Sequence, residues 1–465
     1  MVFHSAAFLF LFFPVIFLLY RLVPGKTGRS ILLCAASLLF YAFGGIAMLP
    51  VLLLAVIGNY LFGLWLAHGE TRSKTALVLA VVFDLALLGV YKYADFFLSG
   101  VNALARLSLP LPGFALPLGI SFFTFHGISY VADVYRGEDA EKNIGRLFLY
   151  LAFFPRLVAG PIVQYRDARA QLLSHPTDWE STVRGLRRFT KGLVKKLLLA
   201  EGAAAVADAV YALAPHEAGT AFVWLSVLAY CLQIFFDFSG YSDMAIGLGR
   251  LFGFTFPENF DSPYVSRSLS EFWRRWHMTL NRWFVQYLYI PLGGSRKGQG
   301  RAVINKLLVF LATGLWHGAG WTYILWGLWH GVFVSAEGLC KGFRARAEKS
   351  FFGRALCRVY TLLVVVLGFA MFRAPDVSSG FAVIGELFAF SPCRLANPEI
   401  LNGARIAALL AGLIFCLPVE KRLEAAAERT PALWHVFNVL TLIGLAVSIL
   451  ALSAGGFAPF IYQQF

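Results

Sequence analysis

Two histidines in an apolar run, each set between a tryptophan and a glycine, are the residues of this chain whose types and spacing best suit chemistry. They are His317 and His330 in GLWHGAGWTYILWGLWHG, residues 314–331. Imidazole takes and gives protons near neutral pH, so proton transfer is the chemistry such a stretch could support. A hydrophobic run of this length reads as a membrane helix or a pair of half-helices, where an ionisable side chain marks a functional site by default. Gly314, Gly318, Gly320, Gly327 and Gly331 loosen the run and let backbone or ligand come close. The competing structural reading places both histidines at bilayer interfaces, with the tryptophans as an aromatic belt. On one unbroken helix the two histidines would stand roughly 20 Å apart on different faces, so they are not expected to share a site.

Three other groups could carry chemistry. Asp237 and Asp243 lie at membrane depth in AFVWLSVLAYCLQIFFDFSGYSDMAIGLGRLFGF, residues 221–254. Buried carboxylates are costly without partners, so they are expected to cap a broken helix or pair with an arginine, a structural reading placed ahead of a catalytic one. His277 sits in SRSLSEFWRRWHMTLNRWFVQYLYIPLGGSRKG. There Phe272, Trp273, Trp276, Leu280, Trp283, Phe284 and Tyr287 make an apolar face opposed by Arg274, Arg275 and Arg282, the pattern of one amphipathic helix at the cytoplasmic interface. On the residues alone, His277 is equally an interfacial histidine or a site. The tail, APFIYQQF, is apolar and aromatic to its last residue, Phe465, where a polar end is usual, and membrane anchoring would explain it as well as chemistry would. The six cysteines have no close pairs and mostly lie in apolar runs, so no disulfide framework or metal site is expected.

The elements that position these residues follow from composition. At 465 residues, 58% hydrophobic and 14% charged, with mean hydropathy +0.68, the chain is far too apolar for a soluble globule and reads as an all-α polytopic membrane protein. The net charge of +14 comes from Lys and Arg clustered between apolar runs, as cytoplasmic loops and anionic lipid headgroups select, and nucleic acid is a poor fit. MVFHSAAFLFLFFPVIFLLYRL lacks a basic n-region and a small-residue cleavage site, so it reads as an uncleaved first span. Spans are expected near 7–23, 30–46, 48–67 and 76–93, with the loop RLVPGKTGRS cytoplasmic and the N-terminus outside. Prolines and glycines then interrupt FALPLGISFFTFHGISYVADVYRG and LFLYLAFFPRLVAGPIVQYRD, which suggests re-entrant or kinked elements, the second burying Arg156 in protein. RGLRRFTKGLVKK, residues 184–196, reads as a cytoplasmic interfacial helix. Further spans are expected near 302–316, 320–340, 359–372, 404–419 and 434–452, giving eleven or twelve with the interrupted segments, one domain over 1–465 and no obvious repeat.

LPLGISFFTFHGISYVADVYRG, FFPRLVAGPI, DFSGYSDMAIGLG, FPENFDSPY, SEFWRRWHMTLNRWFVQYLYIPLGG and GLWHGAGWTYILWGLWHG together resemble the membrane-bound O-acyltransferase superfamily, and within it the bacterial branch typified by the alginate O-acetyltransferase membrane subunit. The resemblance runs from the first span to the last residue. It implies a ring of tilted helices, with re-entrant and interfacial helices, around a central tunnel where a cytoplasmic acyl donor meets an acceptor from the outer face. The superfamily's invariant histidine corresponds to His317 and its second signature position to His277, which leaves His330 a structural or supporting reading.

That resemblance implies acyl transfer from a thioester to a hydroxyl, with His317 as the base in a dry interior that keeps imidazole neutral. Trp316 and Trp321 would wall the tunnel, and Gly314, Gly318 and Gly320 would make room for an acyl chain or pantetheine arm. Arg274, Arg275 and Trp276 would lie on the donor side, the arginines meeting coenzyme A phosphates or an acidic carrier protein. Phe460, Tyr462 and Phe465 are similar to a C-terminal motif in which the tyrosine carries the acyl group as an ester, which requires an extracellular C-terminus. The implied enzyme is an acetyltransferase of the bacterial cytoplasmic (inner) membrane. It would use acetyl-CoA or an acyl carrier, bind no resident cofactor or metal, and serve an exported polysaccharide of alginate, cellulose or peptidoglycan type with an extracellular hydrolase-like partner. A D-alanyl or lipid acyltransferase of the same superfamily is the alternative within the class. A polysaccharide or lipid transporter is the alternative outside it, opposed by the lack of inverted repeats.

Overall fold

Uniformly apolar stretches of Leu, Val, Phe and Ala satisfy their backbone groups internally as helices, the only open-chain solution available in lipid. In the computed structural model the described residues are 1–68, 72–393, 398–430, 432–455, 458, 460 and 461, and among them there is no strand. The protein is an all-α polytopic membrane protein. The chain divides into two compact units, one comprising Met1–Phe189 and Tyr241–Pro257, the other Thr190–Gly240 and Glu258–Ile461.

In the first unit a π-helical turn, Phe8–Phe12, leads into α1 (Phe13–Leu22), then α2 (Lys26–Gly45), α3 (Leu49–Ala67), α4 (Lys74–Leu88), α5 (Ala94–Ala105), α6 (Ile120–Arg136), α7 (Ile144–Ala152) and α8 (Tyr165–Leu173). Gly45, at φ 157°, and a short 3-10 turn, Ile46–Met48, break the path between α2 and α3. The break divides a 42-residue apolar stretch into two bilayer-length pieces, as expected for spans near 30–46 and 48–67. Asn143 caps α7 by accepting the Arg146 N–H. Residues 153–164 carry no helix, since Pro155 and Pro161 deny it donors, so this stretch is a turn segment rather than a kinked helix. Arg156 is buried there, as expected, donating to the Tyr150 carbonyl while its guanidinium lies 5.0 Å from the Tyr150 ring centre.

α9 (Trp179–Val194) and α12 (Thr220–Leu251) each run from one unit into the other. The second unit continues with α10 (Glu201–Tyr211), α11 (Pro215–Ala218), α13 (Leu269–Arg275), α14 (Met278–Phe284), α15 (Gln299–His317), α16 (Trp321–Leu339), α17 (Lys341–Ala347), α18 (Phe351–Arg373), α19 (Val377–Glu386), α20 (Gly403–Phe415), α21 (Val419–Arg429) and α22 (Ala432–Ala454). By length and apolarity alone, five described helical stretches suffice to cross a membrane, or six with α20 and α21 taken as one bent span. The count of eleven or twelve from sequence rests on adding shorter and interrupted helices to these.

Two expectations are resolved or changed. α12 is one helix of 32 residues, so of the two readings of Asp237 and Asp243 capping falls away and pairing stands. Asp243 accepts from Arg188 at 2.6 Å, as expected, and Asp237 from a lysine, Lys196, at 2.7 Å. The basic run 184–196 is therefore spent partly inward, against buried carboxylates, rather than only on lipid headgroups. The expected single amphipathic helix through His277 is two seven-residue helices, α13 and α14, with His277 at the break.

Candidate active site

The stretch that carries His317 and His330 folds as a helical hairpin. α15 ends on His317 because Gly318 and the residues before Trp321 are extended or bent, and α16 turns back along it. Glycines permit the close return: a Cβ on Gly327 would lie 3.3 Å from the Gly314 Cα, tighter than side-chain carbons normally pack. The hairpin overturns the separation expected for one unbroken helix. His317 and His330 lie against the same indole, Trp326, with ring centres 5.0 and 5.1 Å from it.

Both histidines are buried, as is His277. The His317 ring packs edge-on against Phe372 at 5.2 Å and against its neighbour Trp316 at 4.9 Å. Trp316 also faces His277, at 5.9 Å. One indole thus touches both histidines that the resemblance singled out, although they are forty positions apart in sequence. His330 lies behind them, packed against Trp273 at 4.9 Å, and a Cβ on Gly368 would come within 2.7 Å of its Nε2.

His277 has φ 45° and ψ 52°, a left-handed backbone that costs a non-glycine residue about 1–3 kcal/mol. The loop FPENFDSPY holds it there. The Asn259 carbonyl accepts the Met278 N–H at 2.9 Å, and the Arg275 carbonyl accepts the Asp261 N–H at 2.9 Å. The Asn259 side-chain oxygen accepts the Thr279 hydroxyl at 2.8 Å and lies 3.0 Å from His277 Nδ1. An oxygen that already accepts from Thr279 can only accept again, so Nδ1 carries the proton and Nε2 keeps the lone pair. Burial holds the ring in this neutral form, lowering its pKa to about 3. Phe238 of α12 closes the other face, 4.6 Å from the His277 ring centre.

The remaining expected residues divide. Trp316 is buried beside both histidines. Trp321, the first residue of α16, is 64% exposed, and Trp326, further along the helix, is buried. Gly318 faces the Tyr323 ring and Gly314 faces α16, so both make room for protein rather than for an acyl chain. Trp276 is core, stacked 5.5 Å from Phe272 and 5.3 Å from Phe369, and is not on a donor surface. Arg275 is engaged by Glu271 at 3.0 Å and Asp261 at 3.5 Å, which leaves Arg274 as the exposed cation of the pair. Tyr462 and Phe465 lie outside the described residues, while Phe460 is buried. Among the described residues no three His, Cys, Asp or Glu side chains gather as a metal ligand set.

The sequence profile of the membrane-bound O-acyltransferase family matches residues 123–374, the segment that contains His277, His317 and every ring between them. The chain belongs to this family. A probable alginate O-acetylase of Azotobacter vinelandii is 37% identical over 507 residues and one of Pseudomonas putida 39% identical over 493, each alignment covering 100% of both chains. A peptidoglycan O-acetyltransferase of Helicobacter pylori is 33% identical over 468 residues, covering 90% of this chain and 87% of its own. The protein is therefore a multi-pass membrane O-acyltransferase, and two buried imidazoles packed against one indole are groups able to take and return the protons that such a transfer moves. Sequence reasoning missed Asn259, Trp326 and Glu337. The last, on α16, accepts the Leu269 and Ser270 N–H groups at 2.6 and 3.0 Å and so fixes the start of α13. The acidic and amide residues of FPENFDSPY, close upstream of His277, were the available signal for Asn259.

Proposed function

We propose that this membrane-bound O-acyltransferase moves an acetyl group from a thioester donor at the cytoplasmic face towards the hydroxyls of an exported polysaccharide, of alginate, cellulose or peptidoglycan type, in the bacterial cytoplasmic membrane. The names of its relatives support acetyl as the group and an envelope polysaccharide as the acceptor. The observation that carries the assignment of the site is the packing of His277 and His317 against the same indole, Trp316.

His317 takes the proton of the attacking hydroxyl. It is the last residue of a 19-residue helix, whose C-terminal carbonyls favour the cation formed when the ring is protonated. The hydroxyl oxygen bonds to the thioester carbonyl carbon, the C–S bond breaks, and the proton returns to the leaving thiolate. Each proton transfer handled by a positioned imidazole contributes about 10²- to 10⁴-fold in rate. His277, with Nε2 as its acceptor, orients the acceptor hydroxyl. Arg274 attracts the donor, either the phosphates of coenzyme A or an acidic carrier protein. Tyr462 receives the acetyl group as a phenyl ester and passes it to an extracellular hydrolase-like partner.

The test is polymer acetylation by purified membranes carrying His317→Ala, with protein level and membrane insertion measured alongside. Loss of at least about a hundredfold is expected. Activity within about tenfold of wild type removes His317 from the base role.

A further inference from the structure

We infer that Lys196 and Asp237 form a dock that holds the chain's own C-terminal tail beside the helix segment that packs on His277. The inference deepens the acyl-relay reading above and rests on it for its purpose, though not for its geometry.

Lys196 lies in a π-helical segment, Lys195–Ala200, a departure from α geometry that often marks function. Its ammonium is buried and meets two carboxylates, Asp237 and Glu201, each at 2.7 Å. Lys196 bonds Asp237 Oδ1, and the second oxygen of this buried carboxylate, Oδ2, accepts the backbone N–H of Ile461 at 2.8 Å. The adjacent residue, Phe460, is also buried, and its ring centre lies 4.9 Å from the Lys196 ammonium. One cation against two carboxylates leaves an excess of acceptor, and the tail supplies the missing donor. The dock is thus complete only with the tail in it.

Its place in the fold gives the contact a use. Asp237 is seventeen residues from the start of α12 and fourteen from its end, about 26 and 21 Å along the helix axis, so the tail reaches the middle of a membrane-length helix. The next residue of α12, Phe238, is the one whose ring packs on His277. The next residue of the tail after Ile461 is Tyr462. Lys196 and Asp237 are accordingly positioning residues: they fix the backbone immediately before the relay tyrosine near the histidine that orients the acceptor hydroxyl.

The experiment treats detergent-purified full-length protein with carboxypeptidase and follows intact mass. Wild type should be trimmed to Ile461 and stop there. In Lys196→Met/Asp237→Leu, which removes both charges together, and separately in Phe460→Ala, which leaves α12 untouched, trimming should run past Phe460 at least tenfold faster while the unfolding temperature stays close to that of wild type. Lys196→Arg keeps the cation and should keep the stop. The undocked variants should also lose polymer acetylation by at least tenfold. Trimming of wild type past Phe460 as fast as the variants overturns the dock. Unchanged acetylation in variants with a released tail overturns its positioning role. Tyr462→Phe, tested in parallel, reads the relay separately: a protected tail with normal acetylation sinks the relay and leaves the dock standing.

Discussion

Asn259 does for His277 what a sequence pattern does not show. A left-handed backbone is natural for glycine and uncommon for histidine, so the strain at His277 has to be held by its surroundings. Asn259 holds it from both sides, its carbonyl on Met278 and its side-chain oxygen on Thr279 and His277. It follows that Asn259→Ala lowers kcat by about a hundredfold with little change in KM, the effect of a misplaced catalytic group rather than of lost substrate affinity. Thr279→Val, which removes only the second donor to the same oxygen, is expected to cost far less. Initial rates on purified protein decide this, and a folded Asn259→Ala enzyme within about threefold of wild type would refute the orienting role. His277 itself was legible as a site only through family resemblance, because its aromatic and basic neighbours fit an amphipathic helix equally well.

At the scale of elements, α15 and α16 are the framework. Their sequence limits were readable within a few residues, since Gly318, Ala319 and Gly320 punctuate an apolar run. What the hairpin does was not: Gly314, chosen as space for substrate, is space for helix against helix, and Gly318 is space for the Tyr323 ring. Gly327→Val should push against the Phe310 carbonyl and the Gly314 Cα, costing about 1–3 kcal/mol as an overpacked contact. The expected result is a lower unfolding temperature with acetylation falling in step, measured by a thermal-shift assay on purified protein. An unchanged unfolding temperature would mean that the hairpin is looser than its geometry indicates. α16 also reaches across to α13 through Glu337, so the same helix that packs on His317 steadies the approach to His277.

Across the whole molecule, the positive charge is less available than its sum suggests. Of the forty lysines and arginines, several are committed to acids within their own unit: Arg188 to Asp243, Lys191 to Glu420, Lys196 to Asp237, Arg344 to Glu337 and Arg373 to Asp208. A carboxylate in an apolar interior needs a cation or several donors, so acids recruit bases wherever the fold lets them meet. Arg274 and Arg275, adjacent and alike in sequence, therefore part company. Arg274→Gln is expected to raise donor KM by about tenfold, the loss of one charge-assisted contact, with kcat nearly kept. Arg275→Gln should leave donor KM alone and cost at most about 1 kcal/mol of stability, because its ion pairs are about a third exposed. Steady-state kinetics with varied donor separates the two, and equal donor KM in both variants would end the assignment of Arg274 to the donor side.

Hydropathy and helix punctuation were enough, without coordinates, to establish an all-α membrane protein and to mark His317 as a candidate, while the family and His277 came from the resemblance of its motifs. Composition and local spacing survive without knowledge of which segments meet. Contacts over long sequence separation were beyond reach. The Lys196–Asp237–Ile461 junction joins residues more than two hundred positions apart, and Asn259 acts on His277 only because a loop returns to the break between two short helices. Trp321 and Trp326 look alike in sequence, and only the rotation of α16 against its neighbours leaves one exposed and the other packed on two histidines. Which face of a helix is inside depends on what packs there, and in a chain apolar on nearly every face the local pattern carries too little contrast to say.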